Sequence, residues 1–422
     1  MEQEEFIQIL LDQKNEIEEV DIHKYCDRKE EQQFELNSLL AQVVIGVRRS
    51  GKSTLCLKFL KQNKIDFIYI NFDDERLVNL KGEELNNLLE AAYTVYGNVD
   101  YMFFDEIQNI PNWNLFVNRL LRQKLHIFIT GSNAKLLSGE LSTYLTGRYN
   151  EIVLYPFSFS EYCQINDVDI KNKTTKAVAL RTKALNDYLL IGGLPEIFNL
   201  ENPKKYVMSL LNSIIKKDIS KRFKVRYIDA LNSMANHLIN NFSQEVVLNK
   251  LKDIFSFGSS HTAENYYSYL KEAYLLLGLK KFSYKSRERI YNEKAYVVDL
   301  AFVSQRENTF NPENMGWRLE NVIYIELLRR CHSKSLEIFY AKNGYEIDFL
   351  IVDMGKVVQL IQVALNLSSK RTYNRETNSL IKGAEKYNCK DLLLITMEKS
   401  EDIVINDYTI KKVNAVNWLL NS

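Results

Sequence analysis

Excess charge of either sign is missing from this sequence: 55 lysines and arginines stand against 54 aspartates and glutamates, a net of +1 over 422 residues. A chain so balanced has no global basic character, so any nucleic-acid surface on it is a local patch. Cysteine is scarce, and its five copies, Cys26, Cys56, Cys163, Cys331 and Cys389, are scattered with no CxxC pair. That odd, unpaired set argues for reduced thiols and against a disulfide or zinc framework. Long apolar runs are absent as well, none approaching the ~18 residues of a membrane span. The acidic start, Met1-Glu-Gln-Glu-Glu5, does not read as a signal peptide. Internal repeats and low-complexity linkers are also lacking. Together these absences predict a cytoplasmic protein with no membrane partner. What is present, 46% hydrophobic and 12% aromatic residues, suffices for sizeable cores, and the length predicts two or three domains.

Along the chain, residues 1–38 alternate charge with apolar positions such as Phe6, Ile7, Leu10 and Leu11, the pattern of an amphipathic helix. From 42 to 155, short apolar runs alternate with helical stretches. The runs are Gln42–Gly46, Asp66–Phe72, Asp100–Asp105, Leu125–Thr130 and Glu151–Leu154. Such alternation predicts an α/β domain with a mostly parallel sheet and helices on both faces. Residues 176–228 read as helical, broken at Gly192-Gly193-Leu194-Pro195. Helices at about 230–241, 243–255 and 262–277 follow, then a hairpin at 280–298. Past 312, a helix, 317–330, leads into strands near 336–341, 345–352 and 356–364, then more helix and strand.

The motif Gly46-Val47-Arg48-Arg49-Ser50-Gly51-Lys52-Ser53 follows the first apolar run and precedes a helix that opens at Thr54. Its glycines let backbone N–H groups curl around an anion, to which the helix N-terminus adds its positive end. Lys52 can reach the β- and γ-phosphates of ATP, and the Ser53 hydroxyl can ligate Mg²⁺. Tyr101-Met-Phe-Phe-Asp105-Glu106 supplies the acids at a strand end. Asp105 would hold Mg²⁺, and Glu106 would orient and deprotonate an attacking water. After the next strand, Ser132 or Asn133 is placed to sense the γ-phosphate, or else to cap the helix that follows. Arg148, before the fifth strand, could complete a neighbouring subunit's site in a homo-oligomer, or be a solvated charge or an internal ion-pair partner.

These residues resemble the prokaryotic AAA-type P-loop ATPases, of the ASCE class, that carry G-x-R-R-x-G-K-[ST]. The likeness extends to Asp105-Glu106-Ile-Gln108 with Pro111-x-Trp113, and to Thr130-Gly131-Ser132 and Gly147-Arg148. It continues through Leu154-x-Pro156-Phe-Ser-Phe159-x-Glu161-Tyr162 and Gly192-Gly193-Leu194-Pro195. The resemblance implies an ATPase core, a winged-helix-like middle and a C-terminal domain related to the PD-(D/E)xK nuclease fold. It also implies a base-covering segment near Arg28. The corresponding division is a helical segment 1–38, an ATPase core 39–165, a helical lid 166–228, a winged-helix-like domain 229–311 and a nuclease-like domain 312–422.

In the middle domain, helices, the turn Ser256–Ser260, a tyrosine-rich helix and a basic hairpin make a winged-helix pattern. Lys280, Lys281, Lys285, Arg287 and Arg289 would carry phosphate-backbone contacts to double-stranded DNA. The same pattern also serves lids and protein-binding modules. In the nuclease-like domain the resemblance requires acids and an E-x-K. Glu320 and Asp348 supply acids, but Gln362-Val363-Ala364 stands where E-x-K belongs. A neutral amide replaces one ligand and a methyl replaces the lysine, which predicts a degenerate site used for binding. The whole reading is a Mg²⁺-dependent ATPase, taking ATP to ADP and phosphate, that drives a switch or motor coupled to DNA or a protein partner. Its rivals are an ATP-gated nuclease, a slow protein-binding switch and a non-catalytic scaffold.

Overall fold

Parallel strands that are buried on both faces read as near-continuous apolar runs, and Phe67–Asn71, Tyr101–Asp105 and His126–Gly131 of the N-terminal part are mostly apolar. A computed structural model of the chain describes residues 2–131, 145, 147–283, 292–304, 314–332 and 334–421. It divides into two units, Met1–Pro156 and Phe157–Ser422. The first holds β1 (Ala41–Ile45), β2 (Phe67–Asn71), β3 (Tyr101–Asp105), β4 (His126–Gly131) and β5 (Tyr149–Val153). All five run parallel in the order β2-β3-β4-β1-β5. Inserting β4 between β1 and β3 brings three carboxyl ends together: Ile45 registers with Gly131, and Asp105 with Thr130. Open α/β sheets bind their ligands at that edge.

Helices α1 (Gln3–Glu18), α2 (Lys52–Gln62), α3 (Leu85–Tyr96) and α4 (Trp113–Arg122) complete the first unit. Leu55, Cys56 and Leu60 of α2 share a core with Val44, Phe103, Phe128 and Ile152 of the sheet and with Phe34. The N-terminal helix is shorter than the periodicity predicts. It ends at Glu18, after which the Asp21 carboxylate accepts the His23 N–H and sets a 3-10 turn; a second such turn follows at Lys29–Gln33.

The second unit begins with α5 (Phe159–Ile165), α6 (Thr175–Ile191) and α7 (Pro203–Ser213), which runs into a π-helical stretch, Ile214–Ser220. The break at Gly192 has a local cause. Gly192 takes φ +91, and the buried Asp299 carboxylate accepts the N–H groups of Gly193 and Ala301, each at 2.8 Å. A Cβ at Gly192 would lie 2.3 Å from Asp299 Oδ1. Next come α8 (Ile228–Asn240), β6 (Gln244–Val246), α9 (Leu248–Ile254), α10 (Ser260–Glu272), β7 (Leu276–Lys280) and β8 (Glu293–Val297). The strands form an antiparallel sheet, β6-β8-β7. Two expected helices are therefore trimmed. The one expected from 243 is preceded by a strand that pairs with β8, and the one expected to reach 277 stops at Glu272 because Leu276–Lys280 pairs there too.

The chain ends with α11 (Met315–His332), β9 (Glu337–Lys342), β10 (Glu346–Asp353), β11 (Lys356–Ala364), α12 (Lys370–Tyr387), β12 (Leu392–Thr396), β13 (Glu401–Ile405), β14 (Tyr408–Asn414) and α13 (Ala415–Leu420). Its mixed sheet has the order β13-β14-β12-β11-β10-β9. Leu350, Leu360, Leu380 and Leu394 lie in the core that packs α12 onto this sheet. Among the described residues no helix is long and apolar enough to cross a membrane.

Candidate nucleotide site

The loop after β1 takes positive backbone φ at three of its positions. Gly46 (φ +146), Arg49 (φ +69) and Gly51 (φ +94) turn it back on itself before α2 starts at Lys52. Gly46 leaves no space for a side chain: a Cβ there would sit 2.2 Å from the Leu154 carbonyl oxygen. Lys52 is buried, and its Nζ donates to the Val47 carbonyl at 3.0 Å, so the ammonium already lies across the loop. The loop is also braced from the N-terminal segment. Arg28, buried, donates to the carbonyls of Tyr155 at 2.6 Å and Ser50 at 3.4 Å.

Ser53, in the first turn of α2, donates to Asp105 Oδ1 at 2.9 Å. The Asp105 carboxylate also accepts from Thr130 Oγ1 on β4 and from Tyr69 Oη on β2 at 3.3 Å. Burial, with Glu106 beside it, pushes the Asp105 carboxyl up to about 6, although the Thr130 and Ser53 hydroxyls and Lys52 pull it down. A buried carboxylate short of positive charge, paired with a hydroxyl oxygen, is a hard oxygen donor set of the kind that suits Mg²⁺.

Glu106 follows directly and adopts φ +54, a left-handed conformation that a non-glycine residue takes at some cost. Its backbone N–H donates to the Thr130 carbonyl at 3.0 Å, and its carboxylate accepts a hydrogen bond from Gln108 Nε2. Gln108 is buried, and among the described residues its Oε1 has no hydrogen-bond partner. Stranding an acceptor in this way costs about 1–3 kcal/mol.

In the second unit, Glu320 on α11 and Asp348 on β10 come together around a lysine. Lys294 Nζ, from β8, lies 2.6 Å from Glu346, 3.3 Å from Glu320 and 3.9 Å from Asp348. Burial pulls this ammonium towards neutrality, but Glu320, Asp348 and Glu346 outweigh it and keep it protonated. Burial also raises the Asp348 carboxyl well above its ordinary range, and the neighbouring Glu320 adds to the shift. Gln362 accepts the Asp348 N–H at 2.7 Å and donates to Glu376. These groups line a cavity of about 1000 Å³, with Arg371, Arg375 and Lys382 along α12. Among the described residues, no group of three or more His, Cys, Asp or Glu is arranged to hold a metal ion. In the hairpin, Lys280 ends β7 exposed and Lys281 follows it, whereas Lys285, Arg287 and Arg289 lie outside the described residues.

Residues 40–163 match the family model described as an AAA domain, and residues 182–313 match a domain of unknown function (DUF8612). The uncharacterized protein MJ1544 of Methanocaldococcus jannaschii is 37% identical over 382 residues, which cover 88% of this chain and 83% of that protein. The chain belongs to the MJ1544 family. An uncharacterized protein of Haemophilus influenzae is 31% identical over 90% of this chain and 94% of its own. Among solved structures, the Walker-type ATPase PABY2304 of Pyrococcus abyssi aligns with 67% of the chain and 95% of its own. The TM-score of that match is 0.43, at 16% identity.

This member of the MJ1544 family thus carries an AAA-type P-loop ATPase domain, in which the loop Gly46–Ser53, Asp105 and Glu106 meet at one edge of the sheet. Arg148 does not join them. Its carbonyl accepts the Ala41 N–H at 3.0 Å, so it lies where β1 and β5 begin, at the opposite end of those strands from the loop. Ser132 and Asn133 lie outside the described residues. Sequence reasoning missed Tyr69, Thr130 and Gln108 as partners of the two acids, and Lys294 as the lysine of the second unit. Of these, Gln108 left a local signal as the last residue of the motif Asp105-Glu106-Ile107-Gln108.

Proposed function

We propose that the protein hydrolyses ATP to ADP and phosphate at the Gly46–Ser53 loop and uses the cycle to drive a conformational switch or motor. The reading is carried by one observation, the Ser53–Asp105 contact at 2.9 Å with Glu106 as the next residue. A protein that merely holds nucleotide has no need of the second carboxylate.

In this reading, N–H groups of residues 46–54 cradle the phosphates, and Lys52 swings from Val47 O to the β- and γ-oxygens. Ser53 and Asp105 would hold Mg²⁺, which would supply charge neutralisation at the phosphates. Glu106 aligns a water in line with the γ-phosphorus and takes its proton as the bond to ADP breaks. Ser132 or Asn133 would sense the γ-phosphate. Arg148, which immediately precedes β5, would act on a neighbouring copy's nucleotide and not on its own. The experiment is the ATPase rate of wild type and Glu106→Gln, with and without single- and double-stranded DNA.

The division at 38, 165, 228 and 311 belongs to the same proposal. The order α8-β6-α9-α10-β7-β8 supports a winged-helix reading of 229–311. Lys280 and Lys281, with Lys285, Arg287 and Arg289, would meet a phosphate backbone there. Acceleration of turnover by DNA favours the motor, whereas stimulation by a protein partner alone favours the switch.

A second reading, an ATP-gated nuclease, has one observation in its favour. Lys294 beside Glu320 and Asp348 supplies the lysine that position 364 lacks. Gln362 in place of an acid weighs against it and favours a binding site. Metal-dependent DNA cleavage that disappears in Asp348→Ala decides between the two.

A further inference from the structure

We infer that Gln108 is the positioning residue for Glu106, an inference that rests on the hydrolytic reading above. Two features of the turn after β3 that work against stability converge on this pair. Glu106 holds a left-handed backbone at φ +54, and Gln108 buries an amide whose Oε1 has no partner among the described residues. Buried polar groups are nearly always satisfied, so an exception asks for a reason. A methionine would fill the same buried volume without stranding an acceptor, so packing alone does not account for an amide here. The other end of that amide donates to the Glu106 carboxylate.

The geometry closes around Glu106 from two sides. Its main-chain N–H is fixed to Thr130 O at 3.0 Å, which ties the residue to β4, and its carboxylate is fixed by Gln108. Reversing the amide would turn a carbonyl oxygen toward a carboxylate, so only one orientation of Gln108 is stable. With backbone and carboxylate both held, Glu106 meets the water already aimed, and the reaction need not freeze its side-chain torsions. Gln108 itself is buried, with its amide on the Glu106 carboxylate, so it acts through Glu106.

The test uses full-length Gln108→Met and Gln108→Ala beside Glu106→Gln. It measures kcat and KM for ATP, affinity for a fluorescent nucleotide, and the thermal midpoint. We expect kcat to fall about 10- to 100-fold in both Gln108 variants, part of what a general base contributes. KM and nucleotide affinity should stay within about twofold of wild type, since only the reacting water is affected. The midpoint of Gln108→Met should stay level or rise, because the stranded acceptor is gone. Turnover of Gln108→Met at or above the wild-type rate, while Glu106→Gln is inactive, overturns this inference and leaves the hydrolytic reading standing. A kcat that falls in step with the midpoint in both variants marks a structural role and also overturns it. Absence of turnover in wild type defeats the hydrolytic reading and this inference with it.

Discussion

The Ser53 hydroxyl donates to Asp105 Oδ1 across 2.9 Å, which joins the end of the phosphate loop to the end of the acid strand. The two residues stand 52 positions apart, and the strand order β3-β4-β1 is what brings them together. Removing the hydroxyl should therefore act on the metal before it acts on the nucleotide. For Ser53→Ala the Mg²⁺ concentration at half-maximal ATPase rate should rise about tenfold, on the scale of a lost ligand-sphere contact. Nucleotide affinity measured without metal should stay within a few-fold. Equal Mg²⁺ dependence in the two proteins would remove Ser53 from the metal site.

Asp105 sets a pH dependence with a definite sign. Its folded value of about 6 lies above the ordinary 3.8, so the folded protein binds this proton more readily than the unfolded chain. Ionised Asp105 therefore opposes folding in full above about pH 6, by less between 6 and 4, and not at all below. Asp105→Asn should stabilise the nucleotide-free first unit by on the order of 2–3 kcal/mol at pH 7.5. The hydroxyls of Ser53, Thr130 and Tyr69 can rotate to suit an amide, so little is lost in exchange. Denaturation at pH 7.5 and at pH 4 should show this gain shrinking at the lower pH. A gain that is the same at both would contradict the assignment.

Gly192 serves the fold, not the nucleotide. Its φ of +91 and the approach of Asp299 Oδ1 to within 2.3 Å of a hypothetical Cβ leave alanine no place. Gly192→Ala should destabilise the second unit by about 2–4 kcal/mol. Chemical denaturation followed by tryptophan fluorescence reads this out, and a loss under about 0.5 kcal/mol, the range of neutral surface changes, would contradict it.

Arg148 stands at the far end of its strand from its own loop, so its proposed role is intermolecular. Arg148→Ala should lose about 10³-fold in rate. Mixing it with Glu106→Gln should then restore activity, because each copy carries what the other lacks. Retention of turnover within a few-fold in Arg148→Ala alone would end the finger role.

Much of the first unit could be read directly, since its signals are local. Residues 46–53 form one contiguous motif, and 101–106 is four mostly apolar positions capped by two acids. What escaped the reading depends on the chain's return to itself. Tyr69 meets Asp105 only because β2 lies beside β3 in register, and Arg28 reaches Tyr155 across 127 positions. Lys294 is an ordinary charged strand residue until α11 and β10 bring Glu320 and Asp348 to it. Gln108 lies within a readable motif, but its contact depends on the left-handed turn at Glu106, a conformation that glutamate does not advertise. The end of α1 at Glu18 escaped as well, because residues 19–38 keep the same alternation of charge and apolar positions, although 3-10 structure there is confined to Ile22–Lys24 and Lys29–Gln33.

The most direct test is single-turnover and steady-state ATP hydrolysis by wild type and Glu106→Gln, with nucleotide affinity measured on both. Wild type should release phosphate. The variant should bind ATP within a few-fold of wild type and turn over at least about 100-fold more slowly, the scale of a lost general base. Turnover that survives in Glu106→Gln, or its absence in wild type, would contradict the hydrolytic assignment of this site.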